Sequence, residues 1–320
     1  MKFNTKTIHG GQKPEETTGS VMPPVFLTST FAQSSPGKHK GYAYARGTNP
    51  TRTALENSFA AIENGTDAFA FASGMAAIDC VLRLLKPGDE IIAGDDLYGG
   101  TYRMFTQLFQ QYGLEFSYVN MDNVANVTAA TTTKTKLVWL ETPTNPLMKI
   151  ADIQAISSAV KDINSTILIA VDNTFATPYL QQPLNLGADI VMQSATKFID
   201  GQGRCLGGAL IASQDIVNVF TAFMRSAGPC MSPFNAWVLL NGLETLSLRM
   251  TAHSANALKL AEFLEAHPKV LKVNYGGLPS HKYHELAKRQ QKDFGGLLSF
   301  EVEGGQEAAW SLIDGTRMIS

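Results

Sequence analysis

A lysine, an aspartate and a glycine at a helix start each follow a short apolar run in this sequence, and together they could hold an aldehyde, a protonated ring and a phosphate. Lys197 closes Gln193-Ser194-Ala195-Thr196-Lys197, just after the apolar run 189–192. Asp172 opens Asp172-Asn173-Thr174 after the run 166–171, and Ser73-Gly74-Met75-Ala76-Ala77 follows the run 68–72. Taken singly, these are an exposed lysine, a loop-capping carboxylate and a serine N-cap. Taken together, they meet the needs of an aldehyde cofactor bearing a phosphate and a pyridine ring. The lysine forms the Schiff base, and the carboxylate keeps the ring nitrogen protonated so that the ring draws electrons. An ion pair at roughly 4 Å in a partly buried site is worth on the order of 4 kcal/mol, enough to raise the ring-nitrogen pKa by about two units or more. Free amides at the helix start near Gly74 suit the phosphate, and Gly74 lets the backbone approach. Ser194 and Thr196 place hydroxyls beside the lysine for the remaining phosphate oxygens. Tyr98, in Asp96-Leu97-Tyr98-Gly99-Gly100-Thr101, is the aromatic face to cover the ring.

The elements that must carry these residues are short and alternating. Residues 68–72, 90–93, 115–119, 137–140, 166–171 and 189–192 read as strands, and 75–85, 101–112 and 153–161 as helices. Lys86-Pro87-Gly88-Asp89 is a helix stop and turn. Such alternation predicts an α/β fold with a mostly parallel sheet covered by helices on both faces. Ligands of such sheets bind at the carboxyl ends of the strands, where all three candidates fall. The expected organisation is an irregular arm over 1–48, a cofactor-binding domain over 49–245 and a smaller α/β domain over 246–320 that reads as unfinished. A single long helix is expected from Ser232-Pro233-Phe234 through Leu243 and beyond.

Composition narrows the classes. With 26 basic and 28 acidic side chains and a formal charge of −2, there is no cationic surplus to neutralise nucleic acid or anionic lipid. The apolar share of 44% fills a sizeable core, and no run is long enough to span a bilayer, so a cytoplasmic protein is expected. Cys80, Cys205 and Cys230 are far apart and lack a CxxC spacing, so neither a disulfide framework nor a metal site is expected. No G-x-G-x-x-G follows a strand, which sets aside a dinucleotide binder.

These motifs resemble the Cys/Met-metabolism family of fold-type-I pyridoxal-phosphate enzymes, which includes cystathionine synthases and lyases and homoserine-ester sulfhydrylases. The resemblance implies pyridoxal 5′-phosphate as cofactor and a transferase of that fold. Gly41-Tyr42-Ala43-Tyr44-Ala45-Arg46-Gly47-Thr48-Asn49-Pro50-Thr51-Arg52 is similar to the family's arm, so Tyr44 and Arg46 are expected to reach a neighbouring subunit's cofactor phosphate. It likewise implies that Gly74 and Met75 supply phosphate-binding amides and that Tyr98 stacks on the ring. In Glu141-Thr142-Pro143-Thr144-Asn145-Pro146, Asn145 is expected near the cofactor oxygen and the substrate carboxylate. A homotetramer built of active dimers follows from the same likeness. Residues 194–204 resemble O-succinylhomoserine sulfhydrylases. The expected reaction is therefore γ-replacement on O-succinyl-L-homoserine, or another O-acyl-homoserine, with sulfide to give homocysteine in methionine biosynthesis. Cystathionine γ-synthase and γ-lyase are the alternatives, and a catalytically weak cofactor-binding relative is the reading from another class. Gly100 stands where methionine lyases tend to carry cysteine. Of Arg249, Arg289 and Arg317, none has the context in which the family places its substrate-carboxylate arginine, so weak turnover is expected.

Overall fold

The computed structural model describes residues 1–212 and 214–318; Ile319 and Ser320, at the end of the expected second domain, lie outside the described residues. Seven strands form one sheet: β1 (Asp67–Phe71), β2 (Glu90–Gly94), β3 (Glu115–Val119), β4 (Thr135–Glu141), β5 (Leu168–Asp172), β6 (Ile190–Gln193) and β7 (Gly208–Ala212). Their order is β1-β7-β6-β5-β4-β2-β3. The pairings among β2 to β6 are parallel, and β7 runs antiparallel between β1 and β6. The mostly parallel sheet expected from the sequence is therefore present. β7 is a strand the pattern did not mark, because Gly-Ala-Leu-Ile-Ala is short and mostly small.

Burial on both faces is what makes the central strands continuously apolar. Leu137, Trp139 and Ile91 pack on one side with Phe105, Leu82 and Phe220. On the other side Val138 and Leu140 meet Ile156 and Val160, and Val191 meets Leu55, Phe59 and Leu239. Two helices next to the site begin with side-chain caps. Ser73 accepts from the amide of Ala76 ahead of the helix Gly74–Leu82, and Asn49 accepts from Thr51 and Arg52 ahead of Pro50–Glu63.

Two expectations need correction, and one helix was missed. The single helix after Ser232 is two, Pro233–Glu244 and Leu246–Glu265, broken at Thr245 where φ is −102° and ψ is 3°. Residues 101–112 are not a uniform α-helix. One turn, Gly99–Arg103, widens into a π-turn over Met104–Phe109 and tightens over Gln110–Tyr112. Phe105 and Phe109 are both buried there, with Phe105 stacked on Phe116 at 4.8 Å and edge-on to Trp139 at 6.0 Å. The helix Pro50–Glu63 was not anticipated, although its Asn-Pro start is a helix-entry signal. Beyond the large sheet, β8 (Val270–Asn274) and β9 (Ser299–Val302) form an antiparallel pair packed on the helix Leu246–Glu265. Among the described residues no helix is long and apolar enough to cross a membrane.

Candidate active site

β4, β5 and β6 end side by side, and each end delivers a polar group. β5 runs one residue further than its apolar pattern suggests, so Asp172 is the strand's last residue and lies in register with Glu141, the last residue of β4. Asp172 is buried, and its Oδ1 accepts two bonds from Thr174, from the amide at 3.1 Å and the hydroxyl at 2.5 Å. Burial pushes its carboxyl above the usual carboxylate range, against the pull of those two bonds. No cation among the described residues pairs with it. A buried carboxylate without a cation is costly, and the group fits a positively charged ring nitrogen.

The helix start at Gly74 faces the end of β6. A Cβ built on Gly74 would meet Met192 Cε and Ser194 Cβ at 3.0 Å, so any larger residue would have to push these neighbours aside. The Ser194 amide donates to the Thr174 hydroxyl at 2.8 Å. The Thr196 hydroxyl both accepts from the Gly207 amide at 3.1 Å and donates to its carbonyl at 3.2 Å, so it is tied to the backbone while still lining the cavity. Lys197 follows, and its amine enters no hydrogen bond or ion pair among the described residues. Tyr98 lies opposite with its ring half exposed. Its amide donates to Glu141 Oε2 at 2.8 Å, and a Cβ at Gly100 would fall 2.4 Å from the ring's Cε1. Gly100 is what makes room for this ring.

Gly74, Met75, Tyr98, Asn145, Asp172, Ser194, Thr196 and Lys197 all line one cavity of about 380 Å³. Its walls fit a flat, phosphorylated, cationic ring: a glycine–serine cradle at one end, an uncompensated carboxylate at another, an unpaired amine and an aromatic lid. Tyr44 and Arg46 are not brought to it. They sit on the N-terminal arm, Tyr44 half exposed, with the Arg46 guanidinium 5.4 Å from the Tyr44 ring. Buried Arg52 holds that tip by donating to the carbonyls of Ala45 at 2.8 Å, Arg46 at 3.3 Å and Gly47 at 2.9 Å.

Thr174, Glu141 and Arg52 are the residues sequence reasoning passed over. All three lie inside motifs that drew attention, but their roles are hydrogen bonds that spacing does not reveal. The three arginines weighed as substrate clamps do not line the cavity. Arg249 spends its guanidinium on the carbonyls of Phe198 at 2.5 Å, Gly242 at 2.7 Å and Ile199 at 3.2 Å. Arg289 pairs with Asp152 at the surface, and Arg317 is exposed.

The sequence matches the Cys/Met metabolism PLP-dependent enzyme family over residues 4–320. It is 46% identical over 317 residues to a probable cystathionine gamma-synthase of Herpetosiphon aurantiacus, covering 99% of both chains. It is 46% identical over 321 residues to the cystathionine gamma-lyase of Dictyostelium discoideum, covering all of this chain and 82% of that one. Among solved structures, metB from Corynebacterium glutamicum superposes with a TM-score of 0.97 at 44% identity, over all of this chain and 83% of the other.

Proposed function

The chain belongs to the Cys/Met metabolism family of pyridoxal-phosphate-dependent enzymes, and within it we propose that it joins an O-acyl-homoserine, O-succinyl-L-homoserine first, to cysteine to give cystathionine. It is an enzyme that uses pyridoxal phosphate to form or break a carbon–sulfur bond. The observation that carries the finer reading is full-length identity of 46% to a probable cystathionine gamma-synthase. Sulfide as the nucleophile, expected from residues 194–204, takes second place because the relatives described above are named for cystathionine.

When bound, the cofactor supplies a carbonyl carbon for a Schiff base and a ring that accepts electrons from the substrate's Cα. In our reading the chain's residues do the rest. The Lys197 amine would take the Cα proton and then move a proton off Cβ, so that the Cγ–O bond breaks and the acid leaves as its carboxylate; the cysteine sulfur then bonds to Cγ and protons return to Cβ and Cα. Asp172 would pair with the ring nitrogen and keep it protonated. Gly74, Met75, Ser194 and Thr196 would hold the phosphate, Tyr98 would cover the ring, and Asn145 would meet the cofactor oxygen and substrate carboxylate. Tyr44 and Arg46 complete the site of a neighbouring subunit, which makes a dimer the active unit and a tetramer of two such dimers the expected assembly.

Cystathionine cleavage is a second reading, supported by 46% identity to a cystathionine gamma-lyase. Product analysis separates the readings. We expect O-succinylhomoserine with cysteine to yield cystathionine faster than the same ester with sulfide yields homocysteine. Homocysteine as the dominant product would restore the sulfhydrylase reading. Rapid release of cysteine from cystathionine alone would favour the lyase.

A further inference from the structure

Glu141 is a carboxyl group in the cavity wall that the proposed reaction leaves unused. It ends β4 directly across from Asp172, is 5% exposed, and lines the same cavity. Its Oε2 accepts the Tyr98 amide at 2.8 Å, while Oε1 is buried with no hydrogen-bond partner among the described residues. Two other ties join the same pair of loops. The Thr144 hydroxyl donates to Asp96 at 2.5 Å, and Lys149 pairs with Asp95 at 2.9 Å, but both lie away from the aromatic ring. Of these three ties, the one from Glu141 is the one that reaches Tyr98 itself, whose carbonyl is otherwise bonded within its own helical turn by the Tyr102 amide at 3.1 Å. Tyr98 is 47% exposed and Gly100 beside its ring merely leaves space, so side-chain packing alone does not fix the ring's height over the cavity.

We propose that Glu141 is the positioning residue for Tyr98: its carboxyl anchors the tyrosine's backbone so that the ring covers the cofactor's face while Asp172, one strand over, meets the cofactor's edge. Both contacts then spring from one pair of neighbouring strand ends, which fixes face against edge. The electrostatics agree. Burial and the adjacent Asp172 push the Glu141 carboxyl well above the usual carboxylate range, with the amides of Tyr98 and Asn145 opposing. A neutral carboxyl still accepts the Tyr98 amide through its carbonyl oxygen.

The proposal rests on Tyr98 being the ring-covering residue, so its test includes that residue. Cofactor dissociation constants and the circular dichroism of the cofactor's visible band are measured for Tyr98→Ala, Glu141→Gln, Glu141→Asp and the double variant Tyr98→Ala with Glu141→Asp. Gln keeps the accepting oxygen at the same reach and is expected to stay within about twofold of the parent, whereas Asp falls short and should weaken binding at least about fivefold, the scale of one hydrogen bond. The dichroic band should shrink with Asp and persist with Gln. In the Tyr98→Ala background the effect of Glu141→Asp should vanish, because no ring is left to position. Equal losses in Gln and Asp, or an undiminished Asp loss in the double variant, would overturn the positioning role. A Tyr98→Ala protein that binds cofactor like the parent would instead remove the stacking assignment on which the proposal stands.

Discussion

The hydroxyl of Thr174 donates to Oδ1 of Asp172 at 2.5 Å and, with its other face, accepts the Ser194 amide at 2.8 Å. One oxygen thus links the carboxylate proposed for the ring nitrogen to the turn proposed for the phosphate. Thr174→Val keeps the shape but strands the Ser194 amide and strips one bond from Asp172. We expect cofactor affinity to fall by about 5- to 30-fold, the equivalent of roughly 1–2 kcal/mol, and Thr174→Ser to recover most of it. Equilibrium titration of the apoenzyme measures this, and parent-like affinity in the Val variant would show that the link is idle.

Glu63, at the end of the helix Pro50–Glu63, is buried under the sheet, where Gln193 donates to its Oε1 at 2.6 Å and Oε2 has no partner among the described residues. Burial raises its pKa from 4.5 to about 8. The folded state therefore binds a proton that the unfolded state gives up above pH 4.5. Stability declines as pH rises from about 4.5 towards 8 and levels off beyond, by up to on the order of 4 kcal/mol. Glu56, raised to about 7 by its own burial, acts in the same direction. Urea unfolding at pH 6 and pH 8.5 should show a shallower pH slope for Glu63→Gln than for the parent. Identical slopes would mean the carboxyl titrates normally.

Arg249 is assigned to structure rather than to substrate. Its three carbonyl contacts lock the Phe198–Ile199 segment, next to Lys197, onto the helix break near Thr245. Arg249→Met should lower unfolding stability by about 2–3 kcal/mol, while the KM for the amino-acid substrate stays within about threefold. A large KM increase without loss of stability would reinstate Arg249 as a carboxylate clamp.

Much of this was legible in the sequence, for an identifiable reason. A parallel strand buried on both faces must be apolar throughout, and its polar successor stands out, which is how Asp172, Lys197 and Gly74 were found. Antiparallel β7 carries no such flag, since Gly208 and Ala209 are small and only Leu210 and Ile211 mark the run. The break at Thr245 was hidden because Leu243, Leu246 and Met250 continue a helical apolar spacing straight across it. Glu141, Thr174 and Arg52 escaped a functional reading because their partners lie 43, 20 and 5 to 7 residues away in the chain, or on backbone atoms that carry no residue type.

Tyr44 and Arg46 lie outside their own chain's cavity, which is the observation behind a shared site. Mixing Lys197→Ala subunits with Arg46→Ala subunits should regain activity, because a hybrid dimer contains one site with both residues intact. Activity that stays at the level of the two separate variants would place the site within one chain.

The central claim is that Lys197 is the residue that carries pyridoxal phosphate. Borohydride reduction of the cofactor-loaded protein, followed by peptide mapping, tests it directly. The predicted result is a single reduced phosphopyridoxyl group on the peptide containing Ser194-Ala195-Thr196-Lys197, with neither label nor visible absorption band in Lys197→Ala. A label on any other lysine, or a visible band that survives in Lys197→Ala, would contradict the account.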